Sequence, residues 1–135
     1  MKLAFLLVVS SVIAFAGCSG TGDGDFKDEL RFGTGMNAAS MTLTGQAESF
    51  DLATTSMLTF RMESSAAFDG RFVRLYFNRL EQKDFSACAS KDAHICLSQF
   101  AVSSPGTYEV KAYLVKTILD IGEETLVASR SFTLR

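Results

Sequence analysis

The feature of this sequence that most constrains its fold is an alternation of apolar and polar residues with a period of two. It is clearest in the runs SMLTFRME (56–63), FVRLYFNRL (72–80) and TYEVKAYLVK (107–116). Because successive side chains of a β-strand point to opposite faces, each run predicts a strand with one buried face. The residues assigned to the buried faces are Leu58, Phe60, Met62, Val73, Leu75, Phe77, Tyr108, Val110, Ala112 and Leu114.

Three further segments are predicted to be strands. The run TLVASRSFTLR is placed as the last strand, but Arg130 falls on its apolar face together with Leu126, so we expect a β-bulge or a sheet rim there. Shorter strands are expected in SMTLTG, with Met41 and Leu43 inward, and near SFDL. The total is about seven strands, which is typical of a small β-sandwich.

Turn residues separate these runs, at Asp69-Gly70, at Pro105-Gly106 and at Gly122. No run of ten or more residues combines a helical apolar stripe with a capping residue, so we expect an all-β fold. Short strands joined by turns, without helices between them, predict one antiparallel β-sandwich over residues 26–135.

The segment SPGTYEVKAYLV, followed by a turn and the closing TLVASRSFTL, is similar to the last two strands of bacterial immunoglobulin-like and fibronectin-type-III-like domains. This resemblance implies an immunoglobulin-like sandwich in which Tyr108 packs at a corner and hydrogen-bonds to backbone. Transthyretin-like sandwiches, as in the small lipoprotein of type VI secretion systems, are the competing fold.

The first residues, MKLAFLLVVSSVIAFAGC, have the order of a signal peptide. One basic residue, Lys2, precedes an apolar run of about 14 residues, and small residues follow it. A transmembrane helix is the weaker interpretation, because crossing a bilayer takes about 20 apolar residues.

The end of this leader, Phe15-Ala16-Gly17-Cys18, resembles the lipobox of bacterial lipoproteins. The resemblance implies cleavage before Cys18, lipidation of Cys18 and, through Ser19, sorting to the outer membrane of a bacterium with two membranes. An ordinary secretory leader is the alternative, but it would leave Cys18 as an odd thiol in an exported protein.

The predicted organisation is therefore a signal peptide over residues 1–17, the lipidated cysteine with a flexible glycine-rich tether over residues 18–25, and one folded domain over residues 26–135. Asp23 and Asp25 of the tether could suggest a calcium loop. The further oxygen ligands and the glutamate at fixed spacing that an EF-hand needs are missing.

The two remaining cysteines, Cys88 and Cys96, are predicted to form a disulfide bond, because an exported thiol pair meets an oxidising compartment. This bond would staple an irregular connection after the strand that contains Val73. A sharper alternative adds His94 as a ligand and makes a zinc or copper site. A closed zinc site needs a fourth ligand, and the mature chain has no other histidine or unmodified cysteine.

The sequence favours a protein that is not an enzyme and has no cofactor or bound metal. A Ser-His-Asp site would have to use His94, the single histidine, and neither a Gly-x-Ser-x-Gly elbow nor a phosphate-binding loop is present. The acidic residues fall in turns or on outward positions. A formal charge of -2 leaves no basic surplus for binding nucleic acid.

The candidate binding surface lies on two strands that are neighbours in an immunoglobulin-like order. Arg74 and Tyr76 are outward on one, and Lys111 and Tyr113 are outward on the other. We expect an exposed basic and aromatic patch, since tyrosine and arginine are enriched at binding hot spots. The alternatives are that these side chains only stabilise the sheet, or that the loops bind.

Together these features predict a lipid-anchored exported lipoprotein of the bacterial outer membrane or cell surface. It would act as a non-catalytic binding or accessory module of the cell envelope, with a protein or polysaccharide partner. The alternatives are a subunit of a secretion or other envelope assembly and, behind it, a periplasmic enzyme or metal-binding protein.

Overall fold

The computed structural model describes residues 26–78, 81–85, 89–91, 93–116 and 124–135, and for residues 89–91 the backbone alone. The predicted signal peptide, the tether, Cys18, Cys88 and the turn at Gly122 lie outside the described residues. The described chain forms eleven β-strands: β1 (Glu29–Gly33), β2 (Gly35–Asn37), β3 (Thr42–Thr44), β4 (Ser49–Phe50), β5 (Met57–Glu63), β6 (Phe72–Phe77), β7 (Glu81–Phe85), β8 (Ala89–Lys91), β9 (Ile95–Ala101), β10 (Gly106–Val115) and β11 (Glu124–Leu134). In this part of the chain there is no helix long and apolar enough to cross a membrane.

The strands form two main sheets and one hairpin. The four-stranded sheet has the order β1-β5-β9-β8, and the five-stranded sheet has the order β4-β11-β10-β6-β7. All pairs are antiparallel except β4 with β11, and β2 pairs with β3 in the hairpin. The predicted all-β, sandwich-like architecture is confirmed for the described residues.

The main core lies between the two large sheets. Leu58, Phe60 and Met62 of β5 are completely buried, which confirms the inner face that the alternation predicted. The other inner faces are also confirmed, since the following residues of β6 and β10 are buried: Val73, Leu75, Phe77, Val110, Ala112 and Leu114. Aromatic rings fill the centre, where Phe100 contacts Phe77 edge to face with centroids 5.1 Å apart.

Tyr108, at the start of β10, makes a backbone hydrogen bond and a packing contact of the kind expected for it from the sequence. Its hydroxyl donates to the backbone carbonyl of Ser104 at 2.8 Å, and its ring stacks on Phe132 with centroids 5.2 Å apart. The hydrogen bond fixes the start of β10 next to the turn at Pro105, because donor and acceptor are four residues apart.

The expected number of strands was too low, and β9 shows why. Its residues Ile95, Cys96 and Leu97 are all buried, so the strand has no apolar–polar alternation to detect. Its outward residues pack under the β2–β3 hairpin, in a second cluster of Met41, Ile95 and Leu97 flanked by Phe26, Met36 and Leu43. The segment predicted to be an irregular connection after Cys88 therefore contains the β8–β9 hairpin.

The β2–β3 hairpin also changes the expected packing of Met41 and Leu43. Met41 and Leu43 do point inward, but they pack in the second cluster rather than in the main core. Met41 precedes the strand and has a left-handed backbone with a φ of 56°. Thr59, which lies on the face of β5 opposite to Leu58 and Phe60, is completely buried, because the outer face of β5 is also covered.

The predicted irregularity of the last strand is a β-bulge at Val127. Ala112 pairs with Ala128 whereas Tyr113 pairs with Leu126, so Val127 is the additional residue. The inward placement expected for Leu126 is wrong, because the bulge reverses its direction and leaves it 52% exposed. Arg130 remains on the face of the strand that points toward the core, but it lies at the rim of the sheet, where it is ion-paired with Glu48 at 2.7 Å.

Candidate functional site

The four residues of the predicted binding surface lie together on the outer face of the five-stranded sheet. Strands β6 and β10 are neighbours, and their register places Lys111 opposite Tyr76 and Tyr113 opposite Arg74. Side chains directly opposite each other in an antiparallel pair share a face, with Cβ atoms about 5 Å apart. The predicted adjacency of these residues is confirmed.

The expected exposure of Arg74 is wrong, since its side chain is 0% exposed. Its Nε and Nη2 donate to the two carboxylate oxygens of Asp84, at 2.7 and 3.2 Å, and its Nη1 donates to Glu124 at 2.8 Å. Asp84 lies directly opposite Arg74 on β7, and Glu124 begins β11. These carboxylates stand 10 and 50 residues away in the chain, so no local pattern could indicate them.

The carboxylates of Asp84 and Glu124 neutralise the charge of Arg74, so this charge is not exposed on the surface of the sheet. The hydrogen bond with Asp84, reinforced by that with Glu124, raises the pKa of the Arg74 guanidinium, so that it stays protonated despite its burial. A planar fork that meets a carboxylate with two parallel bonds is a rigid unit. Arg74 therefore holds β6, β7 and β11 in a fixed relation beneath the surface.

Tyr76 is tied to the same network. Its hydroxyl donates to Glu124, which, together with burial, raises the pKa of Tyr76. Its ring contacts Tyr113 edge to face with centroids 5.4 Å apart. Both tyrosines are half-buried, and their rings are held in place before any partner arrives.

Leu126 completes this surface, and the sequence interpretation missed it. The bulge at Val127 places it directly opposite Tyr113, where it is one of two large apolar side chains exposed in the described part of the chain. Arg130 interrupts the apolar face of the predicted last strand, and this irregularity in the sequence was the signal that could have revealed the outward position of Leu126. The surface formed by Tyr76, Lys111, Tyr113 and Leu126 is called the Tyr–Leu face below.

His94 and Cys96 lie away from this face and are buried. His94 stacks on Phe26 with centroids 4.1 Å apart, and its Nδ1 donates to the carbonyl of Ser64 at 2.9 Å. Cys96 is completely buried, and its predicted partner Cys88 lies outside the described residues, so the disulfide bond stays a prediction. Among the described residues no three His, Cys, Asp or Glu side chains are grouped to hold a metal ion.

Comparison with known proteins finds no matching family model, no matching curated protein and no matching solved structure. The function is therefore inferred from the geometry of this chain alone.

Proposed function

We propose that this protein is a bacterial envelope lipoprotein that is anchored by lipid on Cys18 and presents an immunoglobulin-like sandwich as a non-catalytic binding module. The leader and its Phe15-Ala16-Gly17-Cys18 ending support the anchor. The intact mass of the purified protein tests it, because a mature chain that begins with an acylated Cys18 is heavier than the bare polypeptide by the mass of its lipid. An unmodified Cys18 would contradict this part of the proposal.

The order of the strands supports the immunoglobulin-like assignment. When β1, β5, β9 and β8 are equated with strands A, B, E and D, the four-stranded sheet has the ABED order of that fold. The run β11-β10-β6-β7 then corresponds to G, F, C and C′ in the facing sheet. The hydrogen bond from Tyr108 to Ser104 adds the corner tyrosine found near the start of strand F.

The Tyr–Leu face is the surface through which we infer binding, and the β-bulge is the observation that carries this inference. A single exposed leucine is common on proteins. Here, however, the bulge turns Leu126 out of the core register and sets it beside the paired rings of Tyr76 and Tyr113. Bulges often redirect a side chain next to a functional site.

The buried network below this face makes it well suited to binding a protein. Rings that are already ordered lose little conformational entropy when a partner binds. Tyr76 is held by Glu124, which is held by Arg74, so the order extends from the buried guanidinium to the surface. The expected partner is an envelope protein with a complementary apolar surface and an acidic group opposite Lys111.

The test compares two substitutions of exposed apolar residues in the full-length protein. Leu126→Ser removes the centre of the Tyr–Leu face, whereas Met57→Ser removes the other exposed apolar side chain, which is 43% exposed on the opposite sheet. Gentle detergent extraction followed by size separation should show a defined complex that Leu126→Ser abolishes and Met57→Ser preserves. A complex that survives Leu126→Ser would overturn binding through this face.

A further inference from the structure

A pair of arginines stands on the outer face of the four-stranded sheet, on the opposite side of the sandwich from the Tyr–Leu face. Arg31 of β1 is directly opposite Arg61 of β5. Like charges in this position destabilise a sheet unless something compensates. Glutamates on the same strands do so in part, since Arg31 bonds Glu29 at 2.6 Å and Arg61 bonds Glu63 at 3.0 Å.

These ion pairs leave hydrogen-bond donors of both guanidiniums unused. Nε of Arg31 is buried and has no hydrogen-bond partner within the described ranges. Arg61 uses Nε on the carbonyl of Met41 at 2.9 Å and Nη1 on Glu63, and its Nη2 makes no hydrogen bond with the described residues. A buried donor without a partner, as Nε of Arg31 is, is uncommon in native proteins.

The two arginines border a cavity of about 270 Å³, which is lined by Glu29, Arg31, Thr42, Leu43, Gln46 and Arg61. This volume is close to the lower end of ligand pockets, which begin at about 300 Å³. The β2–β3 hairpin supplies one wall, including the apolar side chain of Leu43. The exposed Gln46, which follows this hairpin, also lines the cavity, and its amide makes no hydrogen bond in the described part of the chain. The cavity thus combines cationic, anionic, amide and apolar groups.

We propose that this cavity binds a sugar residue that carries an oxyanion, as part of an acidic polysaccharide. The oxyanion accepts hydrogen bonds from the guanidiniums of Arg31 and Arg61, as carboxylates and phosphates do at guanidinium forks. Sugar hydroxyls donate to the carboxylate of Glu29 and exchange hydrogen bonds with Gln46. The carbon-bound face of the ring packs on Leu43.

The glutamates explain why a sugar fits better than a bare anion. Burial disfavours the charged form of Glu63, but hydrogen bonds from the Lys27 backbone and from Arg61 outweigh it and lower the pKa of Glu63. Glu63 and Glu29 therefore repel a small inorganic anion that has no donors of its own. A ligand with hydroxyl donors beside its oxyanion donates hydrogen bonds to the carboxylates and accepts hydrogen bonds from the guanidiniums.

The experiment is a calorimetric titration of the full-length protein in mild detergent with a short oligogalacturonate. Its methyl-esterified form is the matched neutral probe, and inorganic phosphate is the bare-anion probe. We expect the esterified form and phosphate to bind at least tenfold more weakly than the free acid, because each lacks one of the two recognised features. Added salt should weaken binding of the acid.

Matched variants locate the site. Arg31→Gln should weaken oligogalacturonate binding at least tenfold, whereas Arg130→Gln, which breaks an ion pair at a sheet rim, should change it less than twofold. Arg31→Lys, which keeps the charge but loses the planar fork, should fall between wild type and Arg31→Gln. Thermal melts of each variant show whether it is folded, and Arg31→Lys decides the outcome if Arg31→Gln does not fold.

Three results would overturn the proposal: no binding of the acid, equal binding of the acid and its ester, or phosphate binding as tight as that of the sugar acid. Unchanged affinity in folded Arg31→Gln would do the same. None of these results depends on the Tyr–Leu face, so the two proposals fail or stand separately.

Discussion

The buried guanidinium of Arg74 gives the sharpest prediction of stability. Arg74→Met keeps most of the side-chain volume but removes all the donors that face Asp84 and Glu124. Loss of one partner from a buried ion pair costs about 3–5 kcal/mol. The two carboxylates are 22% and 18% exposed, so water compensates for part of the lost contact and the lower end applies. We expect the free energy of unfolding to fall by about 3 kcal/mol.

This loss corresponds to a melting temperature lower by roughly 10 °C in a domain of this size. The chain has no tryptophan, so unfolding in urea is best followed by circular dichroism, with linear extrapolation to water. The control is Arg130→Met, because the side chains of Arg130 and its partner Glu48 are 39% and 69% exposed. Such a pair contributes less than about 1 kcal/mol. Equal losses in the two variants, or a loss below about 1 kcal/mol for Arg74→Met, would refute the buried network.

Three more predictions follow from single contacts. Tyr108→Phe removes the hydroxyl that donates to Ser104 and should lower the free energy of unfolding by about 1 kcal/mol in the same urea assay. Because Tyr76 donates to Glu124, the folded chain keeps the Tyr76 proton to higher pH than the unfolded chain does. Its contribution is complete below about pH 10 and is lost as the pH rises through the raised pKa, so urea titrations above that pH should show a shallower decline in Tyr76→Phe. Gly45→Ala should destabilise the protein by about 1–3 kcal/mol, because this position has a φ of 64° and the new Cβ would clash with the side-chain hydroxyl of Thr34.

The strands that the sequence predicted correctly are those in which apolar residues alternate with polar ones, even where an outer residue such as Thr59 or Arg74 is buried. In β5, β6 and β10 the inner positions alternate with polar ones, so period two identifies both the strand and its buried side. β9 buries one face in the main core and the other under the β2–β3 hairpin, so its alternation disappears. That hairpin packs on the outside of a sheet by contacts between distant segments, which no local pattern contains.

The site was predictable in its position but not in its chemistry. The register of β6 and β10 brought the four predicted residues together because their alternation was regular. The burial of Arg74 depends on Asp84 and Glu124, which reach it only after the sheet has formed. Leu126 could have been assigned to the outer face only if the bulge had been placed at Val127, the residue that follows it.

The most direct test of the account is site-specific photo-crosslinking in living cells that express the full-length protein. A photoreactive residue is placed at position 126 or 113 on the Tyr–Leu face, and at position 57 on the other sheet as the control. The account predicts one discrete crosslinked protein from both positions on the face and none from position 57. No product at positions 126 and 113, or the same product from position 57, would contradict binding through this face.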